Sequence, residues 1–199
     1  FSNDGDRTTP SKGLLAITWS LRIYIGLCSA AIVLGAMLPP IDFDVREYHL
    51  QVPKEWNELG GITFLPHNVY GNMPLGAEIH SLTATQLMSQ GERPWWWGAL
   101  AAKLLMASYG PLSAFAIYAM GRRFLSPLAG LAAAAIFVSS PWVVHISVNG
   151  LNEVVLGYYL LTATYVLLIS PFSIRSVIVA GFLAGAAASC KYTGLVFVV

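Results

Sequence analysis

Charge is what this chain has least of. With 11 Lys and Arg and 10 Asp and Glu in 199 residues, charged side chains make up 11% of it and hydrophobic ones 56%. A soluble domain breaks its apolar residues with polar ones every turn or two, whereas long charge-poor runs belong to a polytopic membrane protein. The formal net charge is +1 and no stripe of Lys or Arg is present to neutralise phosphates, which excludes nucleic acid as an expected partner. Cysteine is scarce too. Cys28 and Cys190 both fall in apolar segments, where a thiol behaves as a small hydrophobe, so neither a disulfide framework nor a metal knuckle is readable. Internal repeats and low-complexity stretches are absent.

What is present is a series of apolar segments near the length of about 20 residues that a bilayer core requires. About five are legible: residues 14–38, 95–120, 128–146, 151–169 and a fifth starting near 176. Arg22 stands near the start of the first, where it can snorkel, and Trp95-Trp96-Trp97 opens the second as an interface anchor. The chain begins at Phe1 and stops at Val199 inside an apolar run, and so reads as a piece of a longer protein. The expected architecture is all-α: a polytopic transmembrane helix bundle with a long external loop. Residues 1–13 form a cytoplasmic segment and 14–199 the membrane module.

Orientation follows from the cations. Arg7 and Lys12 precede the first segment, Arg122 and Arg123 separate the second from the third, and Arg175 separates the fourth from the fifth. If every segment crosses once, all three groups share one side, which the positive-inside rule makes cytoplasmic. The loop 39–94 and the turn 145–152 then lie on the external face. Within that loop Val45, Tyr48, His49, Val52, Trp56 and Leu59 recur at helical spacing among acidic and basic residues, the pattern of a short interfacial helix that Pro53 kinks or divides. A second such helix is expected over 74–87, after the turn-rich stretch 66–74. The loop should therefore fold onto the membrane surface as a roof.

Three sparse polar clusters are the candidates for chemistry. Asp44, Glu47 and Tyr48 would come together on a helix starting near residue 43, where a carboxylate can serve as a general base or can simply cap the helix. Glu153, beside Asn152, is the single Asp, Glu, Lys or Arg between Arg123 and Arg175. It is either a functional acid or a first-turn residue answering the helix dipole. Lys191 follows the small residues Gly181, Gly185 and Ser189 late in the fifth segment, where it can hold an anionic head group or merely snorkel. An acid and a Lys among apolar helices can equally mark an ion or proton path, so a transporter or channel subunit using Glu153 and Lys191 is the rival reading. A noncatalytic lipid-binding scaffold is a third.

The strings Asp44-Val-Arg-Glu-Tyr48-His49 and Phe64-Leu-Pro66-His-Asn68-Val-Tyr70-Gly-Asn-Met-Pro74-Leu-Gly-Ala-Glu78, with Lys191-Tyr192-Thr193-Gly194 closing a Gly-rich segment, resemble GT-C-type membrane glycosyltransferases. The nearest resemblance is to bacterial proteins similar to protein O-mannosyltransferases and aminoarabinose transferases. The resemblance implies transfer of a sugar from a polyprenyl-phosphate-linked donor to an acceptor hydroxyl, on a protein or glycolipid, at the outer face of the cytoplasmic membrane. Asp44 would be the general base and Glu153, with Asn152, a second acidic motif that positions the acceptor. Glu153 could instead share a divalent metal with Asp44, as in relatives that need one. Lys191 would neutralise the lipid phosphate, with Tyr48, His49 and Tyr192 also facing substrate. One departure stands out. Asn72-Met73 replace an acid–base pair found before the proline in the aminoarabinose transferases, leaving His67, Asn68 and Tyr70 as substitutes.

Overall fold

The computed structural model describes residues 11–88, 94–170 and 173–197; Arg7 and the rest of the N-terminal ten residues lie outside them. Among the described residues the chain is helical, with no strand. It runs α1 (Lys12–Gly35), a π-helical turn (Val45–His49), α2 (Gln51–Leu59), a 3-10 turn (Val69–Asn72) and α3 (Gly76–Met88). There follow α4 (Pro94–Phe124), α5 (Pro127–Ser139), α6 (Pro141–Asn149), α7 (Asn152–Ile169), α8 (Ile174–Cys190) and a last 3-10 turn (Tyr192–Phe197).

Three of these helices, α1, α4 and α7, are long and apolar enough to cross a membrane; α5 and α6 together pass as a fourth, bent by 63°. The break was not expected within 128–146. Its cause is local: Ser140 precedes Pro141 and adopts extended backbone, ψ 122°, because the proline ring excludes the helical region for the residue before it. The fifth expected segment is α8, only 17 residues long. It ends where Asn152 Nδ2 reaches over from α7 to donate to the Cys190 carbonyl at 3.0 Å, and Lys191 continues in extended conformation, φ −163°.

The bundle has two unlike ends. At one, Arg122 and Arg123 finish α4 and Ser126 caps α5, accepting from the Ala129 N–H at 3.1 Å. There the backbones of α4 and α5 touch. A methyl group added to Gly121 would stand 2.5 Å from the Gly130 Cα. Lys103 lies nineteen residues before Arg122, so at about 1.5 Å per residue it is nearer the other end by roughly 28 Å. Its ammonium, on a 2% exposed residue, donates to the Leu38 carbonyl at 2.6 Å and so fastens the end of α1 to α4. Gly150 closes α6 beside it with φ +78°, a left-handed cap that glycine adopts without strain, and the Leu151 N–H returns to the Ile146 carbonyl.

The expected roof covers this second end. In α2, Val52, Pro53 and Trp56 turn inward while Lys54, Glu55 and Glu58 stay in the wet face. Val52 and Trp56 pack with Leu65, Leu75 and Leu82 in a small core of the roof's own, against which Tyr48 leans. Asn72 ties the loop by donating to the Leu65 and Asn68 carbonyls, and Asn68 donates to the Glu47 carbonyl at 3.0 Å. The division expected at Pro53 falls four residues earlier. In a regular helix the Pro53 ring would clash with the His49 carbonyl and offer it no N–H, and here the chain widens to a π turn, with the Leu50 N–H on the Val45 carbonyl at 2.9 Å. A larger core joins roof and bundle, through Val45 and Leu50, Ala77, Met106, Val155 and Cys190.

Candidate active site

The π turn decides what the roof shows to the bundle. Asp44, just before it, is exposed and makes no capping bond from its side chain; its N–H is held instead by the Asp42 carboxylate at 3.0 Å. Asp44 acts on the Tyr48 hydroxyl both by its charge and as a hydrogen-bond acceptor. Tyr48 is half-buried, stacked on Tyr70 at 5.3 Å between ring centroids and tilted on His49 at 4.2 Å. Burial pushes the Tyr48 phenol above its ordinary range, and the nearby Asp44, Glu153 and Glu78 carboxylates push the same way. Two of those acids come from other helices, α3 and α7. The phenol thus marks the point where roof and bundle meet.

On the bundle side the α6–α7 turn and the end of α8 meet. Lys191 Nζ donates to Glu153 Oε1 at 2.5 Å, the two side chains being 40% and 38% exposed. Glu153 Oε2 is buried with no partner, and Asn152 Oδ1 is likewise unpartnered although its amide holds Cys190. His49 lies near Glu153 as well. The structure therefore brings Asp44, Tyr48, His49, Asn152, Glu153 and Lys191 to one end of the bundle. Among the described residues Tyr192, 58% exposed in the closing 3-10 turn, makes no hydrogen bond or ring contact with them.

His49 sits differently from its neighbours. It is buried, with Nδ1 bonded to Glu78 of α3, a residue the sequence presented only inside a loop motif. Glu78 itself is fully buried. Of the proposed substitutes in the 66–74 stretch, Asn68 is engaged in holding the loop, His67 pairs with Glu55 at 2.9 Å, and Tyr70 stacks on Tyr48.

Two cavities flank the site. One of about 410 Å³ opens between the roof and the start of α4, lined by Arg46, Glu47, Gln51, Trp95 and Trp96 among others. The second, about 260 Å³, is an apolar crevice among α4, α5, α6 and α7 with Glu153 in its wall beside Ser113, Phe137, Ile146 and Leu161. Among the described residues no group of three His, Cys, Asp or Glu side chains is placed to hold a metal ion.

No curated protein and no solved structure matches the chain. A family model does, that of the dolichyl-phosphate-mannose-protein mannosyltransferases, over residues 85–199. The match covers Glu153 and Lys191 and leaves out Asp44 and all of the roof but the last turn of α3. It extends over more than half of the sequence, and the helices at its core are apolar enough to span a membrane. The chain belongs to the dolichyl-phosphate-mannose-protein mannosyltransferase family, and is an integral membrane glycosyltransferase of GT-C type that uses a lipid-linked sugar donor.

Proposed function

We propose that this site passes a sugar from a polyprenyl-phosphate carrier to an acceptor hydroxyl on the external face of the membrane, with Asp44 as the general base. Asp44 takes the hydroxyl proton, the oxygen attacks the anomeric carbon from the side opposite the phosphate, and the carbon–oxygen bond to phosphate breaks. The bonding pair leaves with the phosphate. A cation at that position lowers the barrier by meeting charge as it develops, and Lys191 is the ammonium at hand. Glu153 holds Lys191 until the donor phosphate competes for it, then is free to orient the acceptor. Tyr48 keeps the Asp44 carboxylate aimed, while His49 and Asn152 form the inner wall and Tyr192 the outer lip. The apolar crevice beside Glu153 has the chemistry to take isoprene units, and the Trp95–Trp96 cleft the chemistry to take a sugar or peptide.

The single observation that carries this reading is convergence: an exposed acid from the roof and an acid–lysine pair from α7 and α8 share one end of the bundle, opposite Arg122 and Arg123. Family membership favours it over an ion path through Glu153 and Lys191. Membranes carrying the full chain, supplied with radiolabelled polyprenyl-phosphate sugars with and without chelator, provide the test. Transfer that vanishes in Asp44→Asn while the protein still inserts supports the reading. Transfer at an unchanged rate in that variant rejects Asp44 as the base.

A further inference from the structure

Buried charge is expensive, and the pair His49–Glu78 is the most deeply buried titratable contact described in the molecule, 2% and 0% exposed. Each partner keeps an unsatisfied atom, His49 Nε2 and Glu78 Oε2. A pair of this kind adds little net stability, because apolar residues of the same volume usually serve as well. Its position is informative. His49 is the last residue of the π turn whose first residue follows Asp44, and Glu78 belongs to the first turn of α3, which packs into the bundle through Ala77 and Ala84. The wide turn is intrinsically weak and survives only where its surroundings hold it.

We propose that Glu78 is a positioning residue: by holding His49 Nδ1 it latches the π turn, so that Asp44 and Tyr48 stand over Glu153 and Lys191. This rests on the reading of Asp44 as the base. With Glu78 accepting from Nδ1–H, the ring is fixed in one orientation with Nε2 turned away from Glu78. The tilted contact of His49 on Tyr48 then passes that orientation to the phenol, and the phenol to Asp44. If the latch opens, the turn loses the contact that holds it to α3 and can shift, which moves Asp44 relative to the bundle. A misplacement of about 1 Å at a reacting group can cost on the order of 100-fold in rate.

The test compares Glu78→Met, which removes the acceptor, with Glu78→Gln, which keeps one, in the full chain in detergent or nanodiscs. Two quantities are read: hydrogen exchange of the backbone amides over residues 46–50, and kcat against KM for the polyprenyl-phosphate sugar. The latch predicts that Glu78→Met raises roof exchange about tenfold or more and lowers kcat by roughly 10- to 100-fold with donor KM within about twofold, whereas Glu78→Gln stays near wild type. Roof exchange unchanged in Glu78→Met overturns the proposal, as does faster roof exchange with wild-type kcat. Should Glu78→Met not fold, Glu78→Ala against Glu78→Gln poses the same question, since only Gln keeps an acceptor for His49 Nδ1. Faster roof exchange in a protein whose wild type transfers no sugar leaves the latch standing and removes the sugar-transfer reading instead.

Discussion

The two ends of the bundle are built on opposite principles. At the basic end α4 and α5 approach so closely that a methyl on Gly130 would lie 2.6 Å from the Tyr118 carbonyl oxygen, and small residues do the packing. At the roof end the helices are interrupted by a π turn, a Ser-Pro break and an extended Lys191, and buried polar atoms go unpaired at His49, Glu78, Asn152 and Glu153. Close apolar contact is what stability asks for; unpaired polar atoms under a roof are what a reaction asks for. A substitution at the roof end should therefore cost rate, and one at the basic end should cost folded protein.

Asp44→Asn should give the largest effect. Removing a general base costs about 10²- to 10⁴-fold in rate. Because the Asp44 side chain is exposed and makes no capping bond, the variant should express and melt like wild type. Loss of transfer without loss of folded protein is the expected pattern in the labelled-donor assay. Gly130→Val is its counterpart. With backbone on the near side and no flexible side chain end to move, overpacking should cost about 1–3 kcal/mol or more, seen as a lower midpoint in a detergent thermal-shift measurement. The surviving folded fraction should keep its kcat. If it does not, the division between the ends fails.

Much of this division was legible in the chain itself. Apolar runs gave α1, α4 and α7 within a few residues, since a membrane helix announces itself by length and lack of charge. The same averaging hid the bend at Ser140, where the apolar run continues through Pro141 although the backbone cannot. The end of α8 was hidden for another reason: it is fixed by the Asn152 side chain, a contact between residues distant in sequence. Glu153 and Lys191 stand out as rare charges in apolar surroundings, and Asp44 by its place in an acidic stretch that follows an apolar one. Glu78 and Lys103 are just as rare and far more deeply buried, but their partners, His49 and the Leu38 carbonyl, come from segments with no periodic relation to them. Lys103 is visible in the sequence as a charge inside the second apolar segment, though not what it holds.

Lys191→Met sharpens the comparison within the roof end. The lysine is 40% exposed and already paired, so its removal should leave the fold alone and raise the donor KM about tenfold, roughly 1.4 kcal/mol. Lys191→Arg keeps the charge and should recover part of the loss, since a compact ammonium and a planar guanidinium meet phosphate differently. Equal KM values for wild type and Lys191→Met would move the phosphate elsewhere, the Arg46 side of the Trp-lined cleft being the next place to look.

Tyr48→Phe should have the smallest effect, and its sign tests whether the phenol is sheltered where the two regions meet. Burial, with Asp44 next to it, holds the Tyr48 proton above the ordinary phenol range of about 10. Above pH 10 the unfolded chain has therefore lost a proton that the folded one keeps, and linkage makes stability fall as pH rises. Below pH 10 both states are protonated and the contribution is constant. The slope can be at most about 1.4 kcal/mol per pH unit, and less for a half-buried group that water screens. Thermal midpoints of wild type and Tyr48→Phe measured side by side from pH 9 to 11 should accordingly diverge only above 10, with the wild type falling faster. Parallel curves would mean that the phenol is open to water and that roof and bundle do not close around it.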